Sequence, residues 1–283
     1  FPLGKFALEA VAGVVISILG YAQAGMNFLF GDFASINYGF VFALQVLPII
    51  VFFASLIAVL YHLGIMERVV SLIGGFIQLA LRTSKAESMC AATNIFIGQS
   101  ESPIAVKPFL PHMTRSEIFA VMVGGMATVS GSVLGGYAAA GIEMRYLIAA
   151  SFMAAPAALM MAKLIRPEVE TETSDTADVH DEIVQERAVN VIDAAALGAL
   201  QGMQLAFAIG ALLLAFIGLI AMMNGMISWF GGLVGFEAVT LQQILGFLFQ
   251  PVAFLIGVPW EETSQVGSLL GQKFMLNEFI AYL

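Results

Sequence analysis

Ile95-Phe96-Ile97-Gly98-Gln99-Ser100-Glu101-Ser102-Pro103 sets a glutamine, a serine and a glutamate in the middle of an apolar stretch, between a glycine and a proline. Polar groups are costly in hydrocarbon, so a carboxylate inside a membrane segment marks a functional site. Gly98 and Pro103 break a helix where those polar groups stand. Broken helices at mid-membrane depth occur where backbone lines a cavity or a binding site. A second such point is Asn277-Glu278-Phe279. Two acid-bearing breaks in one membrane protein imply a transporter.

Composition agrees with a bilayer. The 283 residues are 60% hydrophobic and 11% charged, with a mean hydropathy of +0.93. Soluble domains are roughly 45–50% apolar and about 25% charged. Apolar runs long enough to span lie near 38–62, 116–141, 146–165 and 203–223. The net charge of −9 is local: segment 168–187 holds eight acids and one base, which leaves 12 acids against 10 bases elsewhere. It reads as a solvated connector, not as a sign of a cationic partner. No basic patch points to nucleic acid. Cys90 is the single cysteine, which excludes an internal disulfide and a cysteine-based metal site.

The predicted organisation is an all-α integral membrane protein, a polytopic bundle with two re-entrant helical hairpins and interrupted helices. Region 1–83 holds an interfacial helix over 6–30, a spanning helix over 38–62 with Pro48 as a kink, and a second interfacial helix. Region 84–166 holds the first hairpin, with limbs over 86–97 and 102–111, and two spanning helices. In the first of these, GGMATVSGSVLGG (124–136) predicts unwinding near 128–132. An acidic linker (167–188) and a long helix (189–235) follow. Region 236–283 holds the second hairpin, broken at Val258–Glu262, and the start of an interrupted helix. Hairpin followed by interrupted helix thus occurs twice, the pattern of an inverted repeat with its site where the breaks meet. Arg68, Arg82, Lys85 and Arg115 put one side in the cytoplasm, and Lys163 and Arg166 return to that side.

Gln99, Ser100 and Glu101 offer an amide, a hydroxyl and a carboxylate at one tip, a mix that suits a purine or pyrimidine edge. Asn277 and Glu278 offer a similar mix from the other half. Asn94 lies one turn before Gly98, and Thr128 lies in the loosened span. Their side-chain oxygens, with carbonyls of Ile97 and Val129, fit a sodium cage; the same spacing fits ordinary interhelical hydrogen bonding equally well. The Gly98-Gln99-Ser100 run is a poor nucleophile elbow, because its last glycine is missing and no strand precedes it.

The stretch GQSESPIAVKPFLPHMTRSEIFAVMVGGMATVSGSVLGGY (98–137) resembles the hairpin-plus-helix signature of the concentrative nucleoside transporters. Gly271-x-Lys273-x3-Asn277-Glu278-Phe279-Ile280-Ala281 resembles that family's second signature, with isoleucine for valine. The resemblance implies a homotrimer in the bacterial inner membrane that imports nucleosides with Na⁺ or H⁺. It implies a transport domain carrying both hairpins, moving against a scaffold formed by 38–62 and the long helix. Gln99, Ser100 and Glu101 would address the nucleobase, Val133 and Leu205 would line its pocket, and Glu278, beside Asn277, would hold the ribose. Na⁺ would sit among Asn94, Ile97, Thr128 and Val129, and an asparagine at 94 resembles the sodium-coupled members. Gly98 stands where the family varies with base preference, and glycine implies broad selectivity. The sequence ends five residues past Glu278, where the family continues into a further helix, so a longer natural protein is expected. A passive channel is disfavoured by two hairpins that block the midplane; a membrane receptor or enzyme subunit would bind or turn over without moving its ligand.

Overall fold

Proline and glycine set most of the helix boundaries. The computed structural model describes residues 2–34, 39–96, 102, 106–129, 131–169, 188–234, 239–276 and 278–282. Helix α1 (Pro2–Phe30) runs into a 3₁₀ turn whose first residue, Gly31, has φ +57°. Helix α2 (Phe42–Gln45) is separated from α3 (Leu47–His62) at Val46. Pro48 causes the interruption, having no N–H to donate and a ring that clashes with the carbonyl of Leu44. The expected kink is therefore a helix break placed before the proline. Helix α4 (Ile65–Leu81) closes on Arg82 in the left-handed conformation, φ +55°.

Helix α5 (Lys85–Asn94) is the first limb of hairpin one. It ends three residues earlier than the sequence suggests. The return limb includes a 3₁₀ segment, Lys107–His112, where Pro108 and Pro111 remove two donors. Then come α6 (Arg115–Ala127), α7 (Gly131–Ala139), α8 (Met144–Ile165) and the 44-residue α9 (Val191–Val234). At 1.5 Å per residue α9 is about 66 Å long. Helices α10 (Leu241–Leu255) and α11 (Thr263–Met275) form hairpin two, and α12 (Glu278–Tyr282) follows.

Among the described residues four helices are long and apolar enough to cross a membrane: Glu9–Ala34, Phe42–His62, Met144–Ile165 and Val191–Gly231. The 116–141 run is not among them, because it divides into α6 and α7. Helix α1 is among them, which the interfacial reading of 6–30 did not require. The chain forms two compact units, residues 1–206 and 207–283.

Within the first unit the core is built on α5. Val70 and Ile77 of α4, Ala91, Ala92 and Ile95, Ala120 of α6, and Ala155, Leu159 and Ala162 of α8 make one buried cluster. Helix α9 lies directly on α3. A Cβ added at Gly198 would meet Ala54 O at 2.7 Å, and one at Gly202 would meet Val51 Cα at 2.8 Å. Ser55 Oγ donates to Ala195 O at 2.9 Å beside them. Small residues four apart let membrane helices approach to backbone contact, where dispersion and hydrogen bonds replace the missing hydrophobic drive. In the second unit Gly246, Gly267 and Gly271 do the same for hairpin two; Cβ atoms there would come within 2.7–2.8 Å of the facing limb. Its tip is fixed by Gln250 Nε2 donating to Thr263 Oγ1 (3.1 Å), whose hydroxyl donates to Trp260 O (2.6 Å).

Among the described residues three helices start with capping boxes. Ser84 and Glu87, Thr114 and Glu117, and Thr240 and Gln243 exchange backbone N–H bonds at the heads of α5, α6 and α10. Glu87 has a second role. Its Oε1 lies 2.6 Å from Lys163 Nζ at the end of α8. Lys163 also donates to Ser116 Oγ (3.0 Å) and Glu168 Oε2 (3.3 Å). Ser116 Oγ donates to Arg166 O (2.8 Å), and Thr114 Oγ1 to Glu168 Oε2 (2.7 Å). This places Lys163 and Arg166 at the same end of the unit as Lys85 and Arg115.

Lys163→Met leaves Glu87, whose side chain is 1% exposed, without its counter-charge. Removing one partner of a buried pair costs about 3–5 kcal/mol, whereas replacing both is often neutral. Thermal unfolding in detergent should show a large loss for Lys163→Met and recovery of most of it in Lys163→Met/Glu87→Gln.

Candidate functional site

The site forms where α5 stops and where the α6–α7 run is broken. The last turn of α5 tightens: Ile95 N donates to Ala92 O (3.3 Å) and Phe96 N to Thr93 O (3.0 Å). The next carbonyl, Phe96 O, accepts from Gly131 N, the head of α7, at 3.1 Å. Gly131 is required there, since a Cβ would stand 2.5 Å from Phe96 O. Helix α6 ends at Ala127, and Thr128 turns to extended backbone, φ −113° and ψ 158°. Two helix C-termini therefore meet at one place. Each carries unpaired carbonyls and the negative end of a helix dipole.

Asn94 stands between them, wholly buried. Its Nδ2 donates to Cys90 Sγ at 3.8 Å and lies 3.2 Å from where a Cβ on Gly124 would sit. Its Oδ1 is buried with no hydrogen-bond partner. Thr128 Oγ1 donates to Gly124 O at 2.8 Å. Gly124 thus lies beside the Asn94 amide and accepts from the Thr128 hydroxyl. Once the Thr128 hydroxyl proton is directed at Gly124, only lone pairs remain for another partner. A buried amide oxygen without a donor is costly unless something electropositive meets it. Hard oxygens of neutral residues beside two helix C-termini suit a small cation such as Na⁺. Val129 adjoins Thr128 on the extended segment.

Of the other expected site residues, Val133 is buried on α7 at 7% exposure and Leu205 is part-exposed on α9 at 37%. Glu278 heads α12 and is half-buried. Ile97, Gly98, Gln99, Ser100, Glu101 and Asn277 lie outside the described residues. Sequence reasoning missed Gly124, Gly131 and Cys90. The glycines were visible as part of a glycine-rich run, but nothing in it shows which of them faces Asn94 or Phe96. Cys90 is four residues before Asn94, one helical turn on the same face, a signal that was available.

Residues 146–283 match the family described as Na⁺ dependent nucleoside transporter C-terminus, and residues 43–144 match that described as nucleoside recognition. An uncharacterized transporter of Haemophilus influenzae is 52% identical over 100% of this chain and 68% of its own length. The nucleoside permease NupC of Helicobacter pylori is 48% identical over 100% of this chain and 68% of its own. A solved structure of CNTnw in an inward-facing substrate-bound state superposes with a TM-score of 0.91 at 52% identity, covering 100% of this chain and 67% of that one. The chain spans about two thirds of the length of these relatives. It belongs to the concentrative nucleoside transporter family, is a multi-pass protein of the bacterial inner membrane, and is a transporter, not an enzyme.

Gly131→Ala forces a methyl onto the Phe96 carbonyl, so it should destabilise by about 1–3 kcal/mol. Gly75→Ala, in the middle of α4 with open space around its Cβ, should gain up to about 1 kcal/mol. Melting temperatures of the two variants in detergent compare these outcomes directly.

Proposed function

We propose that the protein imports nucleosides by symport with Na⁺, with uridine-like substrates and broad base selectivity. The observation that carries the sodium reading is the buried, unpartnered Asn94 Oδ1 where the α5 and α6 C-termini meet. The ion would bind among Asn94, Ile97, Thr128 and Val129. Gln99, Ser100 and Glu101 would recognise the base within a pocket lined by Val133 and Leu205, with Gly98 leaving room for either base class. Glu278 would hold the ribose hydroxyls, with Asn277 beside it. A homotrimer, each protomer with its own site, is part of the proposal. So is an elevator movement of both hairpins against a scaffold of α3 and α9. The Na⁺ dependence in the description of the matched family and the inward-facing, substrate-bound state of the CNTnw structure support this reading.

Binding Na⁺ would raise affinity for nucleoside by filling the oxygen cage that anchors the tip of hairpin one. Linkage requires the reverse as well, so nucleoside would raise affinity for Na⁺. Net import follows when the doubly loaded and empty forms cross and the singly loaded forms do not.

The test is radiolabelled uridine uptake into proteoliposomes under an inward Na⁺ gradient, with choline in place of Na⁺, and under an inward proton gradient. Accumulation should appear only with Na⁺; proton-driven uptake would replace this reading with a proton symporter. Glu278→Gln removes charge-assisted hydrogen bonds worth about 1.5–3 kcal/mol, so KM for uridine should rise roughly tenfold to a hundredfold. Asn94→Ala should abolish the stimulation by Na⁺.

A further inference from the structure

We propose that Cys90 is a positioning residue for the coupling ion: its sulfur accepts from Asn94 Nδ2 and so leaves Oδ1 as the end of the carboxamide that meets the ion. This rests on the reading of Asn94 as a sodium ligand.

An amide has two faces of similar shape and opposite chemistry. If Asn94 rotated by half a turn about its last bond, –NH₂ would replace oxygen at the cation, and the site would repel Na⁺. Something must select the orientation. Nδ2 lies beside Gly124, where a Cβ would stand 3.2 Å from it and no side chain offers an acceptor. Cys90 Sγ, 3.8 Å from the same Nδ2 and one turn earlier on α5, does offer one. Sulfur is a weak acceptor, yet here it is the hydrogen-bond partner of a fully buried amide, where even a weak preference decides between two orientations. A carboxylate in that place would bring a second charge to the ion, and a methyl would leave both orientations equally open.

The thiol is itself held. Cys90 is 1% exposed and packs with Ala86, Val106, Phe109 and Val121, from both limbs of the hairpin and from α6. The fully buried Ser102 side chain lies against the same thiol from the far side of the hairpin tip. Cys90 thus stands between the residue that would meet the ion and the residue where the chain returns from the tip. Movement of the return limb would reach the Asn94 amide through it. Groups that orient a ligand without touching the ion typically change metal affinity about 10–100-fold when removed; for a sulfur acceptor the lower end applies.

The experiment is Na⁺-dependent uridine uptake by the full chain carrying Cys90→Ala or Cys90→Ser, with half-saturating Na⁺ and KM for uridine at saturating Na⁺ both measured. Cys90→Ala should raise half-saturating Na⁺ about tenfold and leave KM at saturating Na⁺ within twofold. Cys90→Ser keeps an acceptor and should restore half-saturating Na⁺ to within about twofold of the parent. Equal shifts in the two variants, or a shift in KM for uridine as large as that for Na⁺, would show that Cys90 only fills space and would overturn the proposal. So would Cys90→Ala at the parental Na⁺ dependence. Loss of folding in Cys90→Ala would show as a lowered melting temperature, and a Cys90→Ser variant that folds yet needs about tenfold more Na⁺ would then refute the idea by itself. If the parent protein ignored Na⁺ altogether, the symport reading would fail, and this inference with it, before any variant is compared.

Discussion

The contact between Lys163 Nζ and Glu87 Oε1, 2.6 Å, is where the first unit is held together. A carboxylate that is 1% exposed needs a cation, and Lys163 is positioned to serve as one only because α8 ends beside the head of α5. The same ammonium reaches Ser116 at the head of α6 and Glu168 at the start of the acidic linker. Three helix ends and one loop thereby share a single positive group. Such a pair adds little to stability compared with well-packed apolar residues, but it tolerates no mismatch. Its effect is to fix register: α5, α6 and α8 can slide past one another only by separating it.

Fixing that end fixes the other. With its N-terminus tied by a capping box and an ion pair, α5 delivers its last turn to a set depth in the unit. There Asn94 meets Gly124, and Phe96 O meets the head of α7. Packing between these points is by small side chains. Ala91, Ala92 and Cys90 are all 4% exposed or less, and so are Ser88 and Thr93. Small residues allow close backbone approach in the membrane. They also leave little freedom for the helix to shift once the ends are held.

Much of this could be read in advance, for specific reasons. Pro259, with Gly257 before it, marked the turn of hairpin two, where α10 ends at Leu255 and α11 begins at Thr263; Gly98 and Pro103, the corresponding signal of hairpin one, lie outside the described residues. The glycine-rich run 124–136 marked the broken span, which divides into α6 and α7. Other features escaped. The Ser-x-x-Glu and Thr-x-x-Glu boxes at 84–87 and 114–117 were legible as helix starts but were hidden by attention to hydropathy. The pairing of Glu87 with Lys163 is a tertiary contact between distant positions, and no local pattern encodes it. Pro108 and Pro111 announce the 3₁₀ turn of Lys107–His112 in the return limb. Pro48 was taken for a kink because the apolar run continues across it.

The polar residues of α5 explain why one unsatisfied atom carries so much of the functional argument. Ser88 Oγ donates to Ser84 O at 2.8 Å and Thr93 Oγ1 to Met89 O at 2.7 Å, each using the carbonyl one turn back. Hydroxyls can always do this in a helix, so their burial costs little and says little about function. An asparagine oxygen has no such option, since it needs a donor and every backbone N–H of the helix interior is already committed. Asn94, at the last position of α5, spends its Nδ2 on Cys90 one turn back, and its buried Oδ1 is left without a donor. A water molecule or a cation can fill that role; the two converging helix dipoles favour the cation. The groups beside its amide are a glycine and a thiol, neither of which donates to the oxygen or brings a charge to it.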